Sequence, residues 1–98
     1  MESWHNTQTD GLCEALLTLK NKEECYAFLE DAMTIREILD ISQRLEVAKM
    51  LSRGKSYSEI ARTTGASTAT ISRVSKCREY GSGGYNTVIE RCGENKDE

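Results

Sequence analysis

Leu12, Ala15, Leu16 and Leu19 recur at i, i+3, i+4 and i+7. The same spacing returns at Cys25, Phe28, Leu29 and Ala32, and again at Tyr85, Val88, Ile89 and Cys92. That interval lays apolar side chains along one face of a helix, whereas a half-buried strand would alternate. No alternating run of useful length, no internal repeat and no proline is present. Boundary signals agree: Asn21 with Glu24, Thr34 with Glu37 and Ser56 with Glu59 each pair a cap residue with a glutamate three positions later. In that arrangement the cap oxygen accepts from a free N–H of the first turn. Gly54 and Gly65 fall where helices should stop, because glycine adopts the left-handed conformation cheaply. The pattern predicts an all-α chain with six helices over about 9–20, 22–32, 34–53, 56–64, 67–78 and 84–92.

The third of these is unusual. Ile35, Ile38, Leu39, Ile41, Leu45, Val47, Ala48, Met50 and Leu51 cover more than one of its faces, so a single neighbour cannot bury them all. Packing on both sides, partly by a second subunit, accounts for it. Length points the same way: 98 residues make one small domain with a modest core, and such domains often close that core by self-association. The helical domain is expected over 9–92, with a flexible tail at 1–8 and a polar tail at 93–98.

Hydrophobic residues at 38% and charged residues at 30% suit a globular chain rather than a disordered one. No run approaches the roughly 18 apolar residues of a membrane span. The start, "MESWHNTQTD", lacks the basic-then-apolar order of a signal peptide, so no membrane partner is expected and the location is read as cytoplasmic. Cys13, Cys25, Cys77 and Cys92 form no C-x-x-C pair, and His5 is the only imidazole. Neither a metal site nor a cofactor is expected. Helical phase reads Cys25, Cys77 and Cys92 as small buried hydrophobes.

Net charge is −3, which on its own argues against a nucleic-acid partner. Its distribution reverses that argument. Arg53, Lys55, Arg62, Arg73, Lys76 and Arg78 face one acid, Glu59, within residues 53–78, while the rest of the chain carries seven basic and fifteen acidic groups. Surface charges are screened beyond about 8–10 Å, so a local excess on an acidic body can still orient an anion. A solvated charged face is the plainer alternative.

The basic segment contains a second pattern. "YSEIARTT" presents Ile60 and Ala61 inward, Gly65 and Ala66 turn the chain, Ser67 suits an N-cap, and Ile71 and Val74 supply a second inner face. Ala, Gly four later, Ile six after that and Val three more make a helix-turn-helix at 57–76, the small alanine fitting the crowded corner. A Ser/Thr-rich linker is opposed by the phased Ile71 and Val74 and by the capping signals. An αα-hairpin that serves packing alone stays open. "GKS" at 54–56 does not end a phosphate-binding loop, because position 49 holds Lys49 rather than glycine.

With the inner face assigned, Ser67, Thr68, Ala69, Ser72 and Arg73 are the expected base-facing residues. Their mostly small side chains would let the helix sit deep in a major groove about 12 Å wide, with hydroxyls for base edges and a guanidinium for guanine. Lys55, Arg62, Lys76 and Arg78 suit phosphates, which set affinity more than sequence choice.

"RLEVAKMLSRGKSYSEIARTTGASTATISRVSKC", with "LEDAMTIREILDISQ" before it and "YGSGGY" after, closely resembles Trp-repressor-like proteins of the YerC/YecD type over about residues 9–92. The resemblance implies an intertwined all-helical homodimer that places one helix-turn-helix on each operator half-site. It also implies a ligand pocket around Thr34, Arg44, Arg73, Val74 and Cys77. Thr34, Arg44 and Arg73 match the tryptophan repressor's threonine and two arginines. Val74 and Cys77 depart from its glycine and serine, and overfilling a packed site costs about 1–3 kcal/mol. Val74 is therefore expected to occupy part of a vacated pocket, and L-tryptophan is not expected as the effector.

The function expected is a dimeric, sequence-specific DNA-binding transcriptional regulator that represses. A protein- or RNA-interaction module using the same helices as a docking surface is the alternative, motivated by the acidic remainder of the chain. A multimeric amino-acid-binding protein without DNA affinity is a further possibility. An enzyme is not expected: a single histidine, scattered cysteines and no convergent carboxylate pair leave no visible catalytic constellation.

Overall fold

The computed structural model describes residues 3–93. Among them are six helices and no strand: α1 (Thr7–Leu16), α2 (Lys22–Ala32), α3 (Ile35–Ser52), α4 (Tyr57–Thr64), α5 (Thr68–Tyr80) and α6 (Gly84–Gly93). Most of the expected polar C-terminal tail lies outside the described residues, as do residues 1 and 2. The chain divides into two compact units, one up to Ile35 and one from Arg36 onward.

In the first unit, α1 begins two residues earlier than expected and stops four earlier. Asn6 and Thr9 cap its start reciprocally: Thr9 N donates to Asn6 Oδ1 at 2.9 Å, and Asn6 N donates to Thr9 Oγ1 at 2.8 Å. At its end, Thr18 N and Leu19 N turn back to the carbonyls of Ala15 and Leu16, so Leu19 leaves the helix. The α2 cap is the expected Asn21, which accepts from Glu24 N at 2.8 Å. The Glu24 carboxylate closes on the backbone N–H of Lys20, one residue before the cap. Neither helix holds a buried residue, and Leu12, Leu16, Leu17 and Tyr26 are exposed.

The second unit holds the core. Val47, Ala48 and Met50 from α3, Ile60 from α4, Ala66 from the turn, and Ile71 and Val74 from α5 are buried together. Leu51, Ala61 and the α6 residues Tyr85 and Ile89 pack against them. Burying each large aliphatic side chain contributes about 1.5–3 kcal/mol, and four of them, Val47, Ile60, Ile71 and Val74, are fully buried. The residues paired by the helix-turn-helix spacing are thus the centre of the core.

The two glycine stops are as expected. Past α3, Gly54 has φ +79°, Gly54 N donates to the Leu51 carbonyl at 3.0 Å and Lys55 N to the Met50 carbonyl at 3.1 Å. This is the paired 5→2 and 6→1 closure of a Schellman motif. After α4, Gly65 at φ +77° donates to the Ala61 carbonyl at 2.9 Å.

The apolar surplus of α3 is also seen, since Ile35, Leu39 and Ile41 stay about half exposed or more. Cys25, Cys77 and Cys92 depart from expectation. None is buried: Cys77 is exposed and Cys25 and Cys92 are half-buried, while Cys13, on no apolar stripe, is exposed, and all four are free. Helical phase gives a direction around the axis, not a depth, and nothing among the described residues covers Cys77.

Candidate nucleic-acid interface

The candidate interface is built on two anchors. Ile71 and Val74, three apart, press one side of α5 into the core, at 0% and 1% exposure. At 3.6 residues per turn, Thr68, Ser72, Lys76, Ala69 and Arg73 then fall within about 140° of arc on the opposite side. Thr68, Ala69, Arg73 and Lys76 are exposed and Ser72 is half-buried. All the expected base-facing positions within α5 therefore share one accessible face with one expected phosphate residue.

Ser67 has a local task. As the α5 N-cap its hydroxyl oxygen accepts from Thr70 N at 3.1 Å, and its O–H donates to Thr70 Oγ1 at 3.1 Å. The first turn contains no acid, so its free N–H groups and partial positive charge face outward unopposed. Glu79 lies on the same arc near the C-terminal end, a position the sequence pattern did not single out; it is exposed. The cationic part of the face is confined to the turns before it.

The expected phosphate residues differ in their surroundings. Arg62 is exposed on α4. Lys55 Nζ stands 4.0 Å from a Glu59 carboxylate oxygen, with both side chains about two-fifths exposed. An exposed pair of this kind holds weakly and leaves the lysine free to exchange partners. Arg78 is half-buried; its Nε donates to Asn86 Oδ1 at 3.2 Å, and Asn86 Nδ2 donates back to the Arg78 carbonyl at 3.1 Å.

Beside the core lies a cavity of about 490 Å³ lined by Asp40, Gln43, Arg44, Thr70, Arg73, Val74, Cys77 and Tyr85. Four of the five residues assigned to the ligand pocket by resemblance meet here: Arg44, Arg73, Val74 and Cys77. Thr34, the fifth, is exposed and belongs to the first unit. Val74 serves as a wall of this space while packed into the core, and two guanidinium groups share its lining with one carboxylate. A second, apolar cavity of about 580 Å³ is bordered by Ile41, Leu45 and Val88, and shares Cys77 and Tyr85 with the first.

Sequence reasoning missed Asp40, Gln43, Thr70 and Tyr85. Asp40, Gln43 and Arg44 stand at i, i+3 and i+4 on α3, a polar stripe on a largely apolar helix, and that spacing was the available signal. No local pattern announces Asn86. Among the described residues no group of three or more His, Cys, Asp or Glu side chains could hold a metal ion, and no helix is long and apolar enough to cross a membrane.

Comparison with known proteins covers nearly the whole chain. The family model described as Trp repressor protein matches residues 7–93. The uncharacterized protein YerC of Bacillus subtilis (strain 168) is 48% identical over 91 residues, spanning 93% of this chain and 88% of that protein. The crystal structure of a TrpR-like protein from Eubacterium eligens ATCC 27750 superposes with a TM-score of 0.87 at 50% identity, covering 94% of this chain and 95% of that one. A Trp repressor candidate from Staphylococcus aureus gives 0.88 at 43% identity, with 95% and 93% covered.

Proposed function

The chain belongs to the Trp repressor family, and from that premise we propose that it is a homodimeric, sequence-specific DNA-binding regulator that represses transcription. The observation that carries the proposal is the outer face of α5. Small and hydroxylated residues (Thr68, Ala69, Ser72) and two cations (Arg73, Lys76) lie together on the side opposite the buried Ile71 and Val74. A helix so anchored and so slim fits a major groove, with base edges read from its first turns. Lys55, Arg62 and Arg78 would flank it on phosphates.

Self-association is supported by the apolar side chains that one copy leaves uncovered: Leu12 and Leu16 on α1, Ile35, Leu39 and Ile41 on α3, and Val88 on α6. A second copy would cover them, and an intertwined dimer would present two recognition helices to a two-fold operator. The DNA-binding body is proposed over 9–92, acting in the cytoplasm and without L-tryptophan as effector. The residues around the cavity at Arg44 and Arg73 are retained as a vestige of the family's ligand pocket.

The test is selection of bound duplexes from a random library, followed by affinity measured against salt. A shared operator motif with two-fold symmetry is expected, with log affinity falling by about 0.9 per decade of salt for each phosphate neutralised. No enriched motif and a flat salt dependence would favour the docking-module reading over DNA binding.

A further inference from the structure

The last carbonyls of a helix have no donor within it, and α4 ends at the tightest corner of the motif. Thr64 closes much of that corner itself: its hydroxyl donates to the Ile60 carbonyl at 2.8 Å and accepts from Ala66 N at 3.1 Å. Its own carbonyl accepts from Gln43 Nε2, on α3, at 3.1 Å in half-buried surroundings. A Cβ placed on Gly65 would stand 4.0 Å from the same nitrogen. The Gln43 amide therefore lies beside the turn and ties it to a helix outside the motif.

The geometry points to Gln43 as a positioning residue for DNA reading, one that sets the direction in which α5 leaves the turn. The inference rests on the DNA-binding proposal above. Its physical basis is a division of labour. Apolar packing of Ile60, Ile71 and Val74 supplies stability but is non-directional, so it tolerates small rotations of α5. A hydrogen bond weakens steeply with misalignment. Thr68 and Ala69 stand only a few residues past the bonded carbonyl, so a tilt at the turn displaces the residues that would touch bases before any others.

Gln43→Met keeps side-chain length and helix propensity and removes the donor, and Gln43→Glu keeps the shape while setting a carboxylate against the carbonyl. Both variants should bind the selected operator about tenfold more weakly, as expected for one lost hydrogen bond that leaves its acceptor half-buried. Binding to random duplex DNA, which depends on the cations, should stay within about twofold. Amide hydrogen exchange should quicken at Gly65, Ala66 and Ser67 and not in α6. Equal weakening on both DNAs, or unchanged exchange at the turn, overturns the inference. A sequence-selective wild type whose variants keep the same selectivity defeats this inference alone. A wild type that prefers no sequence defeats the DNA-binding proposal and this one with it.

Discussion

Arg78 and Asn86 hold each other by two reciprocal hydrogen bonds, side chain to side chain at 3.2 Å and side chain to backbone at 3.1 Å, so that α6 is pinned to the last turns of α5. Asn86→Ala removes both bonds without touching the core. It should lower stability by about 1–2 kcal/mol, since each bond is worth about 0.5–1.5 and both are exposed to water. Urea unfolding checks this, with the midpoint falling and the slope unchanged.

Ile71 is fully buried at the centre of the helix-turn-helix. Ile71→Ala should cost about 2–5 kcal/mol, the usual loss for truncating a core aliphatic. In a domain whose whole stability is of order 5–15 kcal/mol, that is enough to leave a measurable unfolded fraction by circular dichroism at 37 °C.

Two glycines should respond to alanine for different reasons. At Gly65 the penalty is conformational: φ is +77° and a Cβ meets nothing closer than 4.0 Å, so about 1–2 kcal/mol is expected. At Gly81 the backbone angle suits any residue, but a Cβ would run into the carbonyl of Cys77. Gly81→Ala should therefore open the end of α5, seen as faster amide exchange at position 81 itself, whose N–H is bonded to that carbonyl at 2.9 Å. Gly65→Asn, which tolerates the left-handed region, should recover part of the first loss.

Arg73 and Lys76 are exposed, and neither forms an ion pair among the described residues. Arg73→Ala and Lys76→Ala should leave the melting temperature nearly unchanged while weakening operator binding. Lys76→Ala should weaken all DNA alike and flatten the salt slope by about one, the change that follows when one phosphate is no longer neutralised. Arg73→Ala should in addition relax preference at one base pair, by about 1–3 kcal/mol. Gel retardation across a salt series separates the two.

Val74 sets the expectation for L-tryptophan. Calorimetry on the wild-type protein should show no saturable binding tighter than about 100 μM, which corresponds to roughly 5.5 kcal/mol. Saturable, stoichiometric binding below that concentration would show that the cavity beside Val74 still accepts an indole.

Helix positions were largely legible. Capping residues and glycines are local signals, and α2 to α6 start and stop within two residues of the expected places. The start of α1 was missed because its reciprocal cap uses Thr9 where a glutamate or glutamine is the usual partner. The anchors Ile60, Ile71 and Val74 were legible because periodicity reports which side faces in. Bonds such as that of Gln43 with Thr64 were not, since they join residues 21 apart in the chain and depend on how α3 crosses the motif. The cysteines show the same boundary: their phase was visible, but the depth at which they sit depends on neighbours that no local pattern specifies.

Glu79 gives the outer face of α5 a polarity. A polyanion approaching the first turns meets free N–H groups and then Arg73 and Lys76; one approaching from the other end meets a carboxylate. On the proposed DNA-binding role, the helix would act as a one-way plug rather than a symmetrical basic rod, entering a groove tip first rather than lying lengthwise along a strand. On the same proposal, replacing that single carboxylate with a lysine would be the shortest path by which this scaffold could trade selectivity for adhesion.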